Sequence, residues 1–249
     1  MTGGTSGIGA AIVERLTADG AAVAFTGRHA ERGAEVSTRT GATFISADAR
    51  DETAVTRSID DAIQSLGGLN ALVCNAGVIA DAGILDTTLE DWQTMLDVNL
   101  TAAYLYSRSS LPHLRASGGG SIVHIASDAG LWGEQEIAGY SVTKAAQITL
   151  AQMLAVEAGP SGVRVNAVCP GDIEPGMRTT TRGEEVPDGD TSAWRMPPMA
   201  RIGRASDVAG AVAFLAGPDS SFVNGAVIAV DGGMRAGYRA WEAAGEAVT

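Results

Sequence analysis

Short apolar runs rich in β-branched residues recur along the chain: AAVAF at 21–25, ATFI at 42–45, NALVC at 70–74, SIVHIA at 121–126, VRVNAVC at 163–169 and AVIAV at 226–230. Longer amphipathic stretches separate them. Strand and helix periods that alternate from end to end predict an α/β fold: a doubly wound parallel sheet with helices on both faces. Leu69–Cys74 and Val163–Cys169 are apolar on both faces and fit the middle of such a sheet. Gly118–Ser121 reads as a turn, and Ser206 as the N-cap of the helical run DVAGAVAFLAG. The proline- and charge-rich stretch from Pro175 to Arg201 exceeds an ordinary connection, and long loops in α/β folds tend to cover a site. The whole, 1–249, reads as one domain with such a loop at about 172–204 and a short tail after Gly233.

Composition narrows the function. At 249 residues and 45% hydrophobic content, the chain can bury a large core. Its net charge of -12, with arginines scattered beside acids, opposes binding to nucleic acid or to an anionic membrane surface. Cys74 and Cys169 each sit in a strand-like run, which suits buried thiols in a reducing, cytoplasmic setting better than a disulfide. His29, His113 and His124 lack metal-ligand spacing, so no metal site is expected. Neither a secretory signal nor an apolar stretch of about 18 residues is present.

The chain opens MTGGTSGIGAAIVERL. Glycines at Gly3, Gly7 and Gly9 permit a tight turn, close approach of backbone to a pyrophosphate and close packing of the helix that follows. Glycine turns before helices are common, however, and the strand that should precede this one is absent, since only Met1 stands before Thr2. Further along, YSVTK places Tyr140 and Lys144 four residues apart, on one face of a helix. Of the 17 Lys and Arg residues, Lys144 is the sole lysine, which sets its compact ammonium apart. Beside a phenol of reference pKa about 10, a fixed cation favours phenolate, and a shift of about three units corresponds to roughly 4 kcal/mol. Ser127 ends the run SIVHIAS, where a parallel strand delivers its hydroxyl to the carboxyl edge of the sheet. Asn75 and Asn99 also lie near the ends of their elements, where caps and turns are the commoner roles.

Taken together, TGGTSGIG, CNAG, Asn99 in LDVNL, Ser127 with YSVTK, and CPG at Cys169–Gly171 resemble the short-chain dehydrogenase/reductase family in order and spacing, over almost the whole chain. The resemblance implies a Rossmann-like oxidoreductase that moves hydride between a nicotinamide cofactor and a secondary alcohol or ketone. It assigns Tyr140 as general acid/base and Ser127 as the partner of the substrate oxygen. Lys144 lowers the tyrosine pKa and binds the nicotinamide ribose, and Asn99 holds a water in a proton relay. Gly3, Thr5, Ser6, Gly7, Ile8 and Gly9 line the pyrophosphate, Asp48 meets the adenine, and Asn75, Ala76 and Gly77 stabilise the central sheet. Pro170, Gly171 and Ile173 complete the cofactor site. Asp48 reads equally as a helix cap. After AAVAFT, Gly27 and Arg28 replace the aspartate of NAD-preferring members, which favours NADP(H) and leaves NAD(H) open. Arg28 can instead be solvated or paired with Glu31 or Glu35.

Three departures from the pattern stand out. Cys74 replaces a second asparagine, a packing change, and Pro175 stands where members carry a threonine that contacts the carboxamide, with Thr179 a substitute. The third is the first central strand, whose absence should leave open strand edges. A polypeptide that starts several residues earlier is the expectation. Leu131, Trp132, Met177, Trp194, Met196 and Met199 are candidate substrate walls, although Met196 and Met199 read better as packing for their own loop. The helical segments Leu89–Leu114 and Tyr140–Ala158 imply a homo-oligomer, a tetramer or dimer. Two other readings stay open: a reductase of 3-oxoacyl chains on an acidic carrier protein, and a dinucleotide-binding protein without turnover.

Overall fold

The computed structural model describes residues 1–175, 177 and 197–236. The expectations for Thr179, Trp194 and Met196 lie outside the described residues. In chain order the elements are α1 (Gly7–Ala18), β1 (Ala24–Gly27), α2 (Ala30–Thr40), β2 (Thr43–Ser46), α3 (Glu52–Leu66), β3 (Ala71–Cys74) and α4 (Leu89–Met95). A π-helical turn (Leu96–Thr101) joins α4 to α5 (Ala102–Ala116). Then come β4 (Gly120–Ile125), a 3₁₀ turn (Asp128–Gly130), α6 (Ala138–Ala158), β5 (Val163–Pro170), the two-residue β6 (Ile173–Glu174) and β7 (Gly203–Arg204), α7 (Ala205–Ala216) and β8 (Val227–Val230).

All strand pairings among the described residues are parallel. β1 pairs with β2, and β3, β4, β5 and β8 form a four-stranded sheet in that order. The place between β1 and β3, where the resemblance sets a central strand, holds residues 1–4. The Thr26 N–H donates to the Met1 carbonyl and the Thr2 N–H to the Val73 carbonyl, both at 2.9 Å, and the Gly4 N–H donates to the Thr26 carbonyl at 3.0 Å. The edges expected to stand open are thus tied to the opening residues near their carboxyl ends.

Alternation along the strands explains the two layers. Leu72, Cys74, Ile122, Val165, Ala167 and Cys169 face one core with Val55 and Ile59 of α3, Leu105 and Leu114 of α5 and Ile148 and Leu154 of α6. Val73, Val123, Ile125 and Val168 face the other, with Ile12 of α1 and Val208, Val212 and Leu215 of α7. Successive side chains point to opposite faces, so a strand covered on both sides is apolar at most positions, with His124 of β4 and Asn166 of β5 as buried polar exceptions. Each fully buried aliphatic side chain contributes about 1.5–3 kcal/mol. Cys74 and Cys169 are free thiols within this sheet, and burial pushes both up to about 12.

Two local expectations are corrected. Ser206 lies inside α7, which starts at Ala205; Asp207 does the capping, its Oδ2 accepting from the Arg204 N–H at 2.8 Å, because a charge-assisted bond outcompetes a hydroxyl. The glycine turn is shorter than Gly118–Ser121, since Gly120 already belongs to β4.

Candidate active site

The carboxyl ends of the parallel strands border a cleft of about 740 Å³. Its first wall is the glycine loop, with Gly3, Thr5, Ser6, Gly7, Ile8 and Gly9 all on the lining. A Cβ on Gly9 would stand 1.9 Å from the Gly3 carbonyl oxygen and 2.6 Å from Asn75 Nδ2, so α1 reaches this position only because residue 9 is glycine. Asn75 in turn donates through Nδ2 to the Gly3 carbonyl at 2.9 Å, and the Asn75 and Ala76 amides both donate to Thr2 Oγ1 at 3.0 Å. The end of β3 therefore holds the loop in shape. At Gly7, a Cβ would meet only the Pro175 carbonyl oxygen, at 4.0 Å, so backbone at the start of α1 faces open space. With no acidic residue in the first turn of that helix, this is a cradle that fits a pyrophosphate.

The second wall carries Arg28, exposed at the end of β1, and Asp48 after β2. Among the described residues no ion pair joins Arg28 to Glu31 or Glu35. Asp48 does not cap α3; Asp51 does, accepting from the Thr53 and Ala54 amides. Arg50 pairs with Asp48 at 2.7 Å, and that bond holds the Asp48 carboxyl below its ordinary value.

The floor is formed by β4 and α6. Ser127 follows β4 and caps the 3₁₀ turn, its Oγ accepting from the Ala129 N–H at 3.2 Å. A Cβ on Gly130 would stand 2.7 Å from the Lys144 backbone carbon, so this turn packs directly on α6. Tyr140 and Lys144, 8% and 2% exposed, both face the cleft. Lys144 Nζ lies 5.5 Å from the Tyr140 ring centroid and donates to the Ile125 carbonyl at 2.8 Å and to Gln147 Oε1 at 3.3 Å. Ala76, Gly77, Pro170, Gly171 and Ile173 line the same cleft. Asn99 does not. It is fully buried in the π-helical turn, with Oδ1 accepting from the Val78 N–H at 2.8 Å and Nδ2 donating to the Val78 carbonyl and Thr143 Oγ1, each at 3.0 Å.

The electrostatics correct one expectation. Burial pushes the Tyr140 phenol up, Asp128 and Glu134 add to the rise, and the hydrogen bond from Ser127 draws it down. Lys144 donates to the Ile125 carbonyl and Gln147 rather than to the phenol, and burial brings Lys144 itself down to about 8.

Sequence reasoning assigned no site role to Asp81, Asp128, Glu134 or Ile137, which all line the cleft, whereas Asp172 and Glu174 on the same lining belong to the loop expected to cover it. Asp128 was findable as the residue next to Ser127, and Ile137 as the one three before Tyr140. Of the expected substrate walls Met177 lines the cleft, whereas Leu131 packs against the core and Met199 is 64% exposed. Trp132 packs against the guanidinium of Arg235, 5.6 Å from its ring.

A parallel α/β sheet with a glycine cradle and a buried Ser, Tyr and Lys at its carboxyl edge has the form of a dinucleotide-dependent oxidoreductase. Residues 3–235 match the family model described as enoyl-(acyl carrier protein) reductase. The chain is 37% identical over 238 residues to the 3-oxoacyl-[acyl-carrier-protein] reductase MabA of Mycobacterium tuberculosis, covering 96% of this chain and 92% of that protein. It is 36% identical over 239 residues to a 3-alpha-(or 20-beta)-hydroxysteroid dehydrogenase of the same organism, covering 95% and 88%. It is 34% identical over 244 residues to an NADP-dependent (R)-specific alcohol dehydrogenase of Lentilactobacillus kefiri, covering 95% of both. The chain belongs to the short-chain dehydrogenase/reductase family, and it is an NAD(P)-dependent oxidoreductase of alcohols and ketones. No described helix is long and apolar enough to cross a membrane.

Proposed function

We propose that this cleft reduces a small-molecule ketone, and oxidises the matching secondary alcohol, with NADP(H), using Tyr140, Ser127 and Lys144. The supporting observation is that these three side chains meet on the floor of the cleft whose far wall is the glycine cradle. Gly3 to Gly9 hold the pyrophosphate, and Asn75 to Gly77 with Pro170, Gly171 and Ile173 flank the nicotinamide half. Arg28, exposed and paired with neither Glu31 nor Glu35, takes the 2′-phosphate, a choice supported by the L. kefiri relative, named as NADP-dependent. The bound nicotinamide supplies the hydride, or accepts it in the reverse direction. Burial keeps Tyr140 a protonated phenol, ready to give its proton to the oxygen of a carbonyl. Lys144 places positive charge where phenolate then forms. Asn99 acts on the proton path only through the backbone it holds.

Exposed apolar residues on α5 and α6 support assembly into a homo-oligomer through these helices. A second reading, reduction of a 3-oxoacyl chain on a carrier protein, is favoured by the MabA relative and opposed by the net charge of -12, which repels an acidic carrier. Titration with NADPH and NADH, followed by cofactor absorbance against ketones and carrier-linked substrates, separates the two. Tyr140→Phe is expected to keep nucleotide affinity within about threefold and to lose at least about 100-fold in kcat, the scale of one positioned acid. A Tyr140→Phe enzyme with wild-type kcat would end this reading.

A further inference from the structure

Asp128 follows Ser127 directly, is 8% exposed and lines the cleft. The Ser127 hydroxyl donates to Asp128 Oδ1 at 3.2 Å, and the same Oδ1 accepts from the Ala129 N–H at 2.8 Å. The other carboxylate oxygen lies against Gly171, where a Cβ would stand 3.5 Å from Oδ2. A hydroxyl has one hydrogen and two lone pairs. With its hydrogen on Asp128 and one lone pair on the Ala129 N–H, Ser127 can offer the cleft only a lone pair. A lone pair suits the O–H of an alcohol; a carbonyl oxygen needs a donor.

We propose that Asp128 is a positioning residue: its carboxylate takes the Ser127 hydrogen and so holds back carbonyl reduction until that carboxylate is protonated. This rests on the reading of Tyr140 and Ser127 as the partners of the substrate oxygen. One hydrogen has two claimants, since the Ser127 hydroxyl also reaches the Tyr140 phenol. Neutralising Asp128 weakens its claim and returns the hydrogen to the cleft. The surroundings favour that change near neutral pH. Burial raises Asp128 to about 6, with Glu134 and Asp172 raising it further and the Ala129 N–H and Ser127 opposing. Tyr140 and Lys144 of α6, Cys169 of β5, and Asp231 across Gly171 are the remaining titratable groups around it. Arg235 approaches from beyond Cys169.

Two measurements test this. In the free protein, the carboxyl carbon signal of Asp128 is followed by NMR across pH, identified by its loss in Asp128→Asn. It should titrate near pH 6 and move upward in Ser127→Ala; an unchanged midpoint in Ser127→Ala overturns the proposal. In turnover, wild-type kcat/KM for ketone reduction should rise as pH falls through about 6. Asp128→Ala should be faster than wild type at pH 8 by roughly threefold to tenfold, the size of one net hydrogen bond, and should lack the step. Asp128→Asn keeps an acceptor oxygen facing the Ala129 N–H, so it should stay slow and flat. An Asp128→Ala enzyme with wild-type rate and the same pH step overturns the proposal. A wild type that binds dinucleotide yet turns over no ketone or alcohol sinks the functional reading instead, and the NMR titration still decides whether Ser127 and Asp128 are coupled.

Discussion

His124 shows how one buried ring sets pH sensitivity without touching the cleft. It is fully buried in β4, its Nε2 shares a hydrogen bond with Ser107 Oγ at 3.2 Å, and Nδ1 has no partner among the described residues. Burial, with Lys144 adding, brings its pKa down to about 4, below the ordinary 6.5. Between those values the unfolded chain binds the proton and the folded one does not, so stability falls as pH drops from about 6.5 to about 4, by roughly 3 kcal/mol in all. Asp128 works the other way. Its raised pKa means the folded state takes the proton first, so protonation from about pH 6 downward favours folding. Because the slopes oppose, the informative quantity is the difference between wild type and variant. Thermal melts of His124→Gln should lose less stability than wild type on going from pH 7 to 4.5. An identical decline in both would show that the ring is not the proton acceptor. The Tyr140 pKa carries the same lesson, being set by burial, by the Ser127 hydrogen bond and by Asp128 and Glu134, none of which the spacing of YSVTK displays.

At the scale of elements, the strands were legible because a sheet covered on both faces demands mostly apolar runs, and Leu69–Cys74 and Val163–Cys169 supply them, interrupted only by Asn70, Arg164 and Asn166. The glycine loop and the Ser127, Tyr140 and Lys144 set were legible for a similar reason: a turn, a strand end and one helical turn each leave a fixed spacing. What spacing cannot show is contact across the sequence. The bond from Asn75 Nδ2 to the Gly3 carbonyl spans 72 positions, and the ties from Asn99 to Val78 and Thr143 join the π-helical turn to α6 and to the connection after β3. Gly9→Ala should therefore do more than slow catalysis. Its Cβ cannot coexist with the Gly3 carbonyl at 1.9 Å, so α1 must shift away from Asn75, and nucleotide affinity should fall at least tenfold while the melting temperature drops. Wild-type affinity in Gly9→Ala, read by NADPH fluorescence, would show that the cradle tolerates that shift. For Asn99→Ala, two backbone groups of Val78 lose buried partners, at about 1–3 kcal/mol each. A loss of about 2–6 kcal/mol in chemical denaturation is expected, and a variant as stable as wild type would deny Asn99 this structural part.

For the molecule as a whole, α6 presents an apolar stripe that the fold itself leaves uncovered. Val142, Met153 and Val156 are 48%, 41% and 79% exposed, and Tyr104 of α5 is 43% exposed, with the Arg108 guanidinium 5.4 Å from its ring. Val142, Met153 and Val156 fall on one side of the helix together with Thr149, by the three-and-four spacing that places neighbours over each other. The opposite side of α6 is spent on the core, through Ile148, Ala151, Leu154 and Ala155. A helix apolar on both sides has a low moment and is better suited to contact with a second protein surface than with water. If copies of this chain meet there, the contact also braces the helix that carries Tyr140 and Lys144, linking assembly to the site. Light scattering of the wild type should then give a multiple of 25.3 kDa. Val156→Glu paired with Met153→Glu should reduce that mass, because four desolvated carboxylates would face each other across a two-fold contact. Turnover should fall with assembly, whereas a wild type that runs at 25.3 kDa with full activity would mean that α6 needs no second copy to hold its catalytic face.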